Sequence, residues 1–413
     1  MTLATLLAET AAQAPDRTAL AFEGARLSYA ELDAMADEAA PTGRILPLPM
    51  PNVPESVARY HGALRRGAVV VPINPLLSTV EVEQRSRPFD PAPGTAVALF
   101  TSGTTGEPKR IELSATQLRA NAGYLARALA LTEDDVLWGS APLSHVFGMT
   151  GCMNVAIALG ATLALVRRFD ALDALDTIER ERVTVFMGVP AMLAALVAAA
   201  QKSGPAPRLR IAHCGGAPLP LHTQKAFEET FDAPVLEGYG MTEVGGVVAL
   251  NHAGASRKPG SVGTAAAGQE LRIADDGEVL VGVEGRWLAT GDLGRIDEDG
   301  NLFLLDRKKD VILRGGYSVY PRQVEEALQQ HPGVREVVVV GVPHPRVGEE
   351  VAALVVADPR FTPEELRDFA RDRVAAYAYP RFVVFVDELP RNSSGKILRR
   401  EIDLDALTKL LRP

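Results

Sequence analysis

Strand-like and helix-like hydrophobic patterns alternate through the first two thirds of the chain. The β-branched run at residues 183–186 predicts a strand, and Pro190 then begins a helix at a first-turn position, where its missing N–H costs nothing. Residues 97–100 predict a short buried strand that leads into a glycine-rich turn. Ser28 and Ser114 are the expected N-caps of two helices, because each is followed three residues later by Glu or Gln. This alternation predicts an α/β fold of layered subdomains with parallel strands.

The pattern changes at about residue 270 to short strands joined by turns. Asp-Asp-Gly at 275–277 and Asp-Gly-Asn at 299–301 lie between alternating apolar residues and predict hairpin turns. From Asp310 onward a compact α+β pattern follows, with helices expected at 321–330 and from Thr362, and strands at 337–340 and 382–386. We therefore predict a large N-terminal domain that ends in a β-rich subdomain, residues 1–308, and a small α+β C-terminal domain, residues 309–413.

The composition is that of a globular protein, with 47% hydrophobic and 23% charged residues among 413. The 43 basic and 52 acidic residues give a formal net charge of −9 without a basic stripe, so nucleic acid is not an expected partner. The two cysteines, Cys152 and Cys214, are far apart and lack the spacing of a disulfide framework or a zinc site. A reducing cytoplasmic compartment fits this content.

Two apolar stretches resemble membrane spans in composition only. Residues 148–166 are interrupted by Gly160 and other small or polar residues, and residues 183–200 contain Pro190. Both are expected to be buried core rather than membrane-spanning helices. Residues 1–8 have no basic residue ahead of their apolar run, so a secretory signal is not expected either.

The clearest chemical signal is a loop rich in hydroxyls and glycines after the strand at 97–100. Such a loop offers many hydrogen-bond donors to phosphate oxygens, and a following lysine adds a positive charge. The spacing of a Walker A loop is absent, which disfavours a P-loop kinase or GTPase. The loop predicts phosphate binding by Thr101, Ser102, Gly103, Thr104, Thr105, Gly106 and Lys109.

This loop resembles the signature loop of the AMP-forming adenylating enzymes, the superfamily of acyl-CoA synthetases, peptide-synthetase adenylation domains and luciferases. Further segments resemble the family's motifs in the family's order between about residues 100 and 400. They are Pro-Leu-Ser-His-Val-Phe-Gly at 142–148, Gly-Gly-Ala-Pro-Leu at 215–219, Gly-Tyr-Gly-Met-Thr-Glu at 238–243, Thr-Gly-Asp at 290–292, Asp-Arg-Lys-Lys-Asp at 306–310 with Gly-Gly at 315–316, and Asn-Ser-Ser-Gly-Lys at 392–396.

The resemblance implies a reaction in two steps. A carboxylate attacks the α-phosphorus of ATP and releases pyrophosphate, and a thiol then captures the acyl-adenylate. Catalysis of this kind needs positioning and stabilisation of charge on phosphate oxygens. The implied cofactors and cosubstrates are ATP, Mg²⁺ and CoA, with the phosphopantetheine arm of a carrier protein as an alternative acceptor.

The resemblance also assigns roles to residues of this chain. The 101–109 loop would hold the β- and γ-phosphates, Thr242 the α-phosphate, Glu243 a Mg²⁺, and Lys396 the reacting oxygens during adenylation. The nucleotide would further be contacted by Gly216, Ala217, Pro218, Gly238, Tyr239, Gly240, Met241, Asp292 and Arg307, with Tyr239 stacked on adenine and Asp292 accepting from the ribose. His145 would gate the acyl pocket, Lys309 would be the hinge of a mobile C-terminal domain, and Gly315 and Gly316 would line the thiol channel.

Each assignment has a structural alternative that the residues alone leave open. Tyr239 could be a core aromatic, Asp292 the cap of a turn, Lys396 an exposed loop lysine and His145 a hydrogen-bonded core histidine. At Lys309 the alternative is a plain interdomain linker, which would still permit rotation.

The chain is shorter than most relatives. Segments of the family pattern are missing between residues 39 and 45, 87 and 96, and 280 and 287, and Arg110 occupies a position where the family loop has a small residue. Val146 stands near the position where amino-acid-activating relatives carry an Asp, so a substrate ammonium is disfavoured. The acyl pocket is expected to be apolar and to include Phe147, Met187, Val189 and Cys214, which favours a fatty, branched or aryl acid.

Three hypotheses about function remain open on the sequence. The first is an acyl-CoA synthetase with a small-molecule carboxylic acid, of fatty, branched or aryl type, as its partner. The second is an adenylating enzyme that delivers the acyl group to an acyl carrier protein or a nitrogen nucleophile in secondary metabolism. The third is a catalytically silent relative, which the presence of Lys109, Thr242, Glu243, Asp292 and Lys396 disfavours. Arg167 and Arg168 keep a dicarboxylate substrate open.

Overall fold

A computed structural model describes residues 2–102, 108–283, 285–357, 361–391, 397–404 and 407–408. The chain forms two compact units, residues 1–269 and 270–413. The strands of the first unit are β1 (Thr18–Phe22), β2 (Ala25–Ser28), β3 (Ile45–Pro49), β4 (Val69–Ile73), β5 (Thr95–Ser102), β6 (Pro108–Ser114), β7 (Val136–Gly139), β8 (Thr162–Leu165), β9 (Val185–Gly188), β10 (Ile211–Cys214), β11 (Val235–Met241), β12 (Gly246–Leu250) and β13 (Thr264–Ala265). Its helices are α1 (Leu6–Gln13), α2 (Tyr29–Glu38), α3 (Pro54–Arg65), α4 (Thr79–Arg85), α5 (Ala115–Ala128), α6 (Val155–Leu159), α7 (Ala171–Glu181), α8 (Pro190–Ser203) and α9 (Leu221–Phe231), with a π-helix at Phe147–Asn154.

The large sheet of the first unit has the strand order β13-β12-β11-β10-β9-β7-β8-β1-β2. Its central strands β8, β7, β9, β10 and β11 run parallel, which confirms the α/β prediction. A separate hydrophobic cluster packs on each face, because successive side chains of a strand point to opposite faces. Phe186 of β9 therefore packs with Trp138 and Phe227, whereas its neighbour Met187 packs in the other cluster.

The helix starts follow local sequence chemistry. Ser28 accepts a hydrogen bond from the backbone N–H of Glu31 and completes the predicted capping box of α2. Ser114 caps α5 in the same way through the N–H of Gln117. Pro190 occupies the first turn of α8, as predicted.

A second sheet of the first unit has the order β3-β4-β5-β6. One face of this sheet packs in the large cluster that includes Val70 and Val97. The other face has a small cluster of Val69, Val71, Ile73 and Ala98, and α4 beside it contains no buried residue. β5 and β6 form an antiparallel pair whose connection is the predicted phosphate loop.

The second unit begins with an antiparallel sheet of β14 (Glu270–Ile273), β15 (Glu278–Val283), β16 (Arg286–Ile296) and β17 (Leu302–Arg307). The turns at 275–277 and 299–301 connect consecutive strands of this sheet, as predicted. The rest of the unit comprises β18 (Ile312–Arg314), β19 (Tyr317–Val319), α10 (Pro321–Leu328), β20 (Val334–His344), β21 (Gly348–Ala357), α11 (Pro363–Arg371) and β22 (Phe382–Phe385). The mixed α/β class, with a large N-terminal and a small C-terminal part, is confirmed, whereas the hinge boundary at residues 308–309 stays a prediction.

The two apolar stretches form short core elements. Residues 148–166 contain most of the π-helix, α6 and β8, and residues 183–200 contain β9 and most of α8. In the described parts of the chain, no helix is both long and apolar enough to cross a bilayer.

Candidate active site

The predicted motifs of the first unit meet at the carboxyl edge of its parallel sheet. β9, β10 and β11 run parallel and end beside one another. Val189 follows β9, residues 215–219 follow β10, and residues 239–243 lie at the end of β11 and just beyond. In parallel α/β sheets, ligands bind in the crevice outside the carboxyl ends of the strands. The positions of these loops therefore favour one shared ligand site.

Glycines at this edge of the sheet stand where there is little or no room for a side chain. A Cβ on Gly238 would lie 2.7 Å from Cε1 of His213, and one on Gly215 would lie 3.1 Å from the carbonyl oxygen of Gly238. Gly216 has a φ of +83°, a left-handed conformation that side chains disfavour. The absence of a side chain at Gly238 leaves space for the ring of His213, and at Gly215 it leaves space for the carbonyl group of Gly238.

Phe147 and His213 form one wall of the site. Their rings stack with centroids 5.6 Å apart and planes inclined by 30°. Met187 lies opposite His213 in the pairing of β9 with β10. Val189 lies close by, because a Cβ on Gly216 would be 3.6 Å from its Cγ1. Three of the predicted acyl-pocket residues, Phe147, Met187 and Val189, therefore lie near one another.

The structure does not bring Cys214 to this wall. Cys214 belongs to the hydrophobic cluster on the opposite face of the sheet, together with Phe186 and Leu219. The reason is the alternation of side chains along β10, which puts His213 on the wall and its neighbour Cys214 behind it. Burial and the nearby carboxylate of Glu237 raise the pKa of the Cys214 thiol well above its usual value.

His213 is a site residue that the sequence analysis did not identify. Its side chain is buried, and its Nδ1 lies 2.9 Å from the carbonyl oxygen of Leu236, to which it donates a hydrogen bond. Burial lowers the pKa of His213 to about 4, so the ring is neutral near pH 7. The signal available in the sequence was a single polar residue within the apolar strand that precedes Gly215 and Gly216.

The predicted gate motif at 142–148 forms a tight turn that leads into the π-helix. A Cβ on Gly148 would lie 2.3 Å from the carbonyl oxygen of Pro142, so only glycine fits. The backbone N–H of His145 donates to the same oxygen at 2.9 Å. The exposed His145 ring accepts a hydrogen bond from the Phe147 N–H at Nδ1, 3.2 Å away, which favours the tautomer with a proton on Nε2.

Thr242 and Glu243 lie in a short 3-10 helix, Thr242–Val244, directly after β11. Asn121 of α5 holds this segment by donating to the carbonyl oxygen of Val244 at 2.9 Å and accepting from the N–H of Val247 at 3.1 Å. Both Thr242 and Glu243 are partly exposed, as are Tyr239 and Met241. Asn121 is thus a second residue that sequence reasoning missed, because its partners are more than a hundred positions away in the chain.

The base of the predicted phosphate loop lies against this segment, since β6 contacts the 3-10 helix Thr242–Val244. Thr101 pairs with Lys109 across β5 and β6. Arg110 packs over the ring of Phe89, 3.9 Å from its centroid, and its Nε lies 3.0 Å from a carboxylate oxygen of Glu112. Neighbouring strand residues point to opposite faces, so Arg110 does not crowd the face of Lys109. The loop residues Gly103, Thr104, Thr105 and Gly106 lie outside the described residues.

The predicted nucleotide-binding residues of the second unit form an ion pair. Asp292 of β16 lies opposite Arg307 of β17, and the two side chains approach to 2.7 Å. The Thr290 hydroxyl stabilises the turn before Asp292, because its Oγ1 accepts a hydrogen bond from the backbone N–H of Asp292 at 3.0 Å. The Asp292 carboxylate is largely buried, whereas the Arg307 side chain is 44% exposed. This arrangement can offer a carboxylate and a guanidinium to a polar ligand.

The predicted hinge and thiol-channel residues also lie in the second unit. Lys309 is exposed within a 3-10 helix, Lys308–Asp310. Gly315 and Gly316 form the turn between β18 and β19 with φ values of +57° and +85°. Lys396 lies outside the described residues, but Arg391 and Ile397 on either side of residues 392–396 form a β-bridge.

The described residues contain no group of three or more His, Cys, Asp or Glu side chains arranged to hold a metal ion. Magnesium that is carried by a nucleotide needs only one or two carboxylates from a protein, because phosphates and waters supply its other ligands. The single carboxylate of Glu243 fits that kind of site.

The fold and the site together define an adenylating enzyme. A sequence model of the AMP-binding enzyme family matches residues 7–92 and 83–293, and a model of the AMP-binding enzyme C-terminal domain matches residues 323–396. The chain belongs to the AMP-binding enzyme family. The two matches to the first model share residues 83–92, a range that includes the start of the shortened stretch between residues 87 and 96.

The relatives of this chain include several acid–CoA ligases. A long-chain-fatty-acid–CoA ligase of Bacillus subtilis (strain 168) is 30% identical, with 97% of this chain and 94% of the relative covered. A feruloyl-CoA synthase of Amycolatopsis sp is 35% identical over 74% of this chain and 68% of its own length. The solved structure of o-succinylbenzoate coenzyme A synthetase (MenE) from Bacillus subtilis, in complex with ATP and magnesium ion, has a TM-score of 0.84 at 28% identity and covers 96% of this chain and 99% of that chain.

Proposed function

We propose that this protein activates a carboxylic acid with ATP to an acyl-adenylate and then transfers the acyl group to the thiol of CoA. The observation that carries the proposal is the convergence of the motifs at 142–148, 215–219 and 238–243 on one edge of the parallel sheet, with the base of the phosphate loop beside Thr242–Val244. Membership of the AMP-binding enzyme family and similarity to acid–CoA ligases support it.

The first half-reaction forms a bond between a carboxylate oxygen and the α-phosphorus of ATP and breaks the bond to pyrophosphate. Negative charge shifts between phosphate oxygens, so the protein's task is to hold and neutralise them. We assign Thr242 to the α-phosphate, the 101–109 loop to the outer phosphates and Lys396 to the reacting oxygens. When bound at Glu243, Mg²⁺ would neutralise phosphate charge.

In the second half-reaction the thiol sulfur bonds to the acyl carbonyl carbon, AMP leaves and the thiol proton is released. We assign Gly315 and Gly316 to the approach of the pantetheine arm, and Lys309 to the hinge on which the two half-reactions alternate. The thiol of CoA is the proposed acceptor, and a carrier-protein phosphopantetheine is the alternative. A cytosolic site of action stays a prediction from the two cysteines, both of which are buried and unpaired.

The substrate that we propose has an uncharged acyl part of fatty, branched or aryl type. Phe147, Met187, Val189 and the neutral ring of His213 supply an apolar wall. A charged group placed against them would lose its hydration without a compensating partner. The long-chain-fatty-acid ligase and the feruloyl-CoA synthase among the relatives support an uncharged acyl part, whereas the 2-succinylbenzoate–CoA ligases among them act on an acid with a second carboxylate.

The test is acid-dependent exchange of pyrophosphate into ATP, measured across fatty, branched, aryl and dicarboxylic acids. We expect exchange with one uncharged acid class, and formation of AMP and an acyl thioester when CoA is added. Lys396→Ala should abolish exchange and retain transfer from a supplied acyl-adenylate. Exchange that is followed by no thioester with CoA would contradict the proposed acceptor, and a wild-type protein without exchange for any acid would contradict the proposed function itself.

A further inference from the structure

Three carboxylates of the second unit converge on the guanidinium of Arg399. Nη1 of Arg399 lies 3.2 Å from a carboxylate oxygen of Asp310 and 3.9 Å from one of Asp306, and Nη2 forms a close ion pair with Glu325. Asp306 is at the end of β17, Asp310 ends the 3-10 helix that contains Lys309, and Glu325 is in α10. Arg399 therefore joins three elements of the fold.

These groups are sheltered from water. The side chains of Asp306 and Glu325 are only 2% and 15% exposed, and that of Arg399 is 24% exposed. Burial raises the pKa of both carboxyls, while the positive charge of Arg399 opposes that rise. Ion pairs in such a setting interact strongly, and removing one partner leaves the others buried without compensation. Exposed surface pairs, by contrast, contribute little.

Arg399 follows Lys396 by three positions. Backbone contacts hold the two residues between Lys396 and Arg399. The N–H of Leu398 donates to the carbonyl oxygen of Pro390 at 2.8 Å, and Ile397 forms a β-bridge with Arg391. Ile397, Leu398 and Arg399 are therefore three consecutive residues that each have a partner elsewhere in the second unit.

A different set of contacts links residues before Lys309 to residues after it. The backbone N–H of Arg322 donates to a carboxylate oxygen of Asp306 at 2.8 Å, and its Nη1 donates to the carbonyl oxygen of Leu304 at 2.9 Å. Rotation at Lys309 has to break these two bonds and the longer contact of Arg399 with Asp306. It leaves the ion pairs of Arg399 with Asp310 and Glu325 intact, because all three residues follow Lys309.

We propose that Arg399 is a positioning residue for adenylation: its ion pairs with Asp310 and Glu325 join the described residues that directly follow Lys396 in the chain, Ile397 to Arg399, to the hinge. This inference rests on the proposed function. Arg399 touches no substrate in this role and acts through the position of Lys396. A 1 Å displacement of a catalytic group can cost on the order of 100-fold in rate, so weakening of the ion pair has a large effect on the step that uses Lys396.

The test compares Asp310→Asn, Arg399→Lys and Arg399→Gln in the full chain, with each half-reaction measured separately. Asp310→Asn removes the ion pair at the hinge and leaves Arg399 with Glu325, so it keeps a folded protein even if Arg399→Gln is unstable. We expect Asp310→Asn to lower kcat for pyrophosphate exchange at least about tenfold with little change in the KM for ATP. Transfer to CoA from a supplied acyl-adenylate should stay within about threefold of wild type, since that step does not use Lys396.

Two further comparisons sharpen the test. Arg399→Lys keeps a positive charge and should retain more exchange activity than Arg399→Gln. The double variant Asp310→Asn with Arg399→Gln should be no slower in exchange than Arg399→Gln alone, because both substitutions remove the same ion pair. Arg371→Gln is the matched control, because Arg371 pairs with Asp368 at 3.0 Å on an exposed face of the same unit. It should leave both half-reactions unchanged.

The outcomes separate the two proposals. Equal loss of both half-reactions in Asp310→Asn, or no loss in either, with an active wild type would overturn the positioning role of Arg399 and leave the proposed function standing. The positioning role would also be overturned if the losses of exchange rate caused by Asp310→Asn and Arg399→Gln multiplied in the double variant. A wild type without acid-dependent exchange would overturn the proposed function, and the role of Arg399 with it.

Discussion

Phe147 and His213 stack on each other although they are 66 positions apart in the chain, and this contact joins the motif at 142–148 to the strand before residues 215–219. The ring of Phe147 is also near Gly215, since a Cβ there would lie 3.6 Å from its Cε2. One aromatic side chain thus borders both the proposed acyl wall and a predicted nucleotide motif. Changes at Phe147 are expected to alter acid preference before they alter nucleotide binding.

Phe147→Ala should therefore shift activity toward bulkier acids. The substitution removes a ring from the wall and opens space. We expect kcat/KM to fall about 10- to 100-fold for the acid that the wild type uses best, and to fall less or rise for a larger homologue of that acid. The measurement is kcat/KM across a series of acids of increasing size. Phe231→Leu is the control, because Phe231 belongs to the cluster on the opposite face of the sheet. A uniform loss for every acid would contradict a wall formed by Phe147.

Asp292→Asn should weaken the binding of ATP. The carboxylate paired with Arg307 is suited to accept hydrogen bonds from ribose hydroxyls, and loss of charged hydrogen bonds costs about 1.5–3 kcal/mol, or roughly 10- to 100-fold in KM for ATP. Wild type should also discriminate against an ATP analogue without ribose hydroxyls, and the variant should discriminate less. Asp276→Asn removes an exposed carboxylate that pairs with Lys308 and should leave the KM for ATP unchanged. Undiminished discrimination in Asp292→Asn would contradict the ribose assignment.

Gly316→Ala should mainly slow transfer to the thiol. Gly316 has a φ of +85° and a Cβ there would meet no atom within 4 Å, so the direct structural cost is the left-handed conformation, about 1 kcal/mol. Gly300→Ala is a matched control, because Gly300 has a φ of +80°, equally open space and a place in a hairpin turn. We expect transfer from a supplied acyl-adenylate to fall at least about tenfold in Gly316→Ala only. Equal behaviour of the two variants would remove Gly315 and Gly316 from the thiol channel.

His61 should make the fold sensitive to acid. The ring is fully buried in α3, and neither of its nitrogens has a hydrogen-bond partner among the described residues. Burial lowers the pKa of His61 from 6.5 to about 3, so the folded protein binds this proton less readily than the unfolded chain. The contribution of His61 to stability is therefore complete above pH 6.5 and is lost as the pH falls toward 3.

His61→Leu should reduce this acid sensitivity. Between pH 6.5 and 5 the titration of His61 costs about 2 kcal/mol, and the variant should show a correspondingly smaller loss of unfolding free energy over that range. Part of the slope should remain, since His213 is buried with a lowered pKa as well. Denaturant unfolding at pH 7 and pH 5 gives the loss of unfolding free energy for each protein. An equal loss in wild type and variant would contradict the role assigned to His61.

Local chemistry was readable from the sequence wherever neighbours in the chain decide the structure. The cap at Ser28, the proline at the start of α8 and the turns at 275–277 and 299–301 depend on residues within a few positions. The order of the nucleotide motifs was readable for a similar reason, because each is a short contiguous segment. Their roles in catalysis stay predictions.

Features that depend on distant partners were not readable. The sequence analysis placed Cys214 in the acyl pocket and overlooked His213, because apolar composition alone does not say which face of a buried parallel strand meets the site. The sequence showed Arg110 where the family loop has a small residue, and only the structure shows that its side chain packs on Phe89 and pairs with Glu112.

The sequence by itself determined the class of fold, the order of the motifs and the ends of many elements, since these follow from hydrophobic period and local hydrogen bonding. The tertiary structure decided which motif side chains face one another. Asn121 forms hydrogen bonds with the segment that follows Thr242, and Phe147 stacks on His213. Arg399 forms ion pairs with Asp306, Asp310 and Glu325. The physical reason is that side-chain contacts across a sheet or between distant segments depend on strand order and register, which the whole packed core selects together.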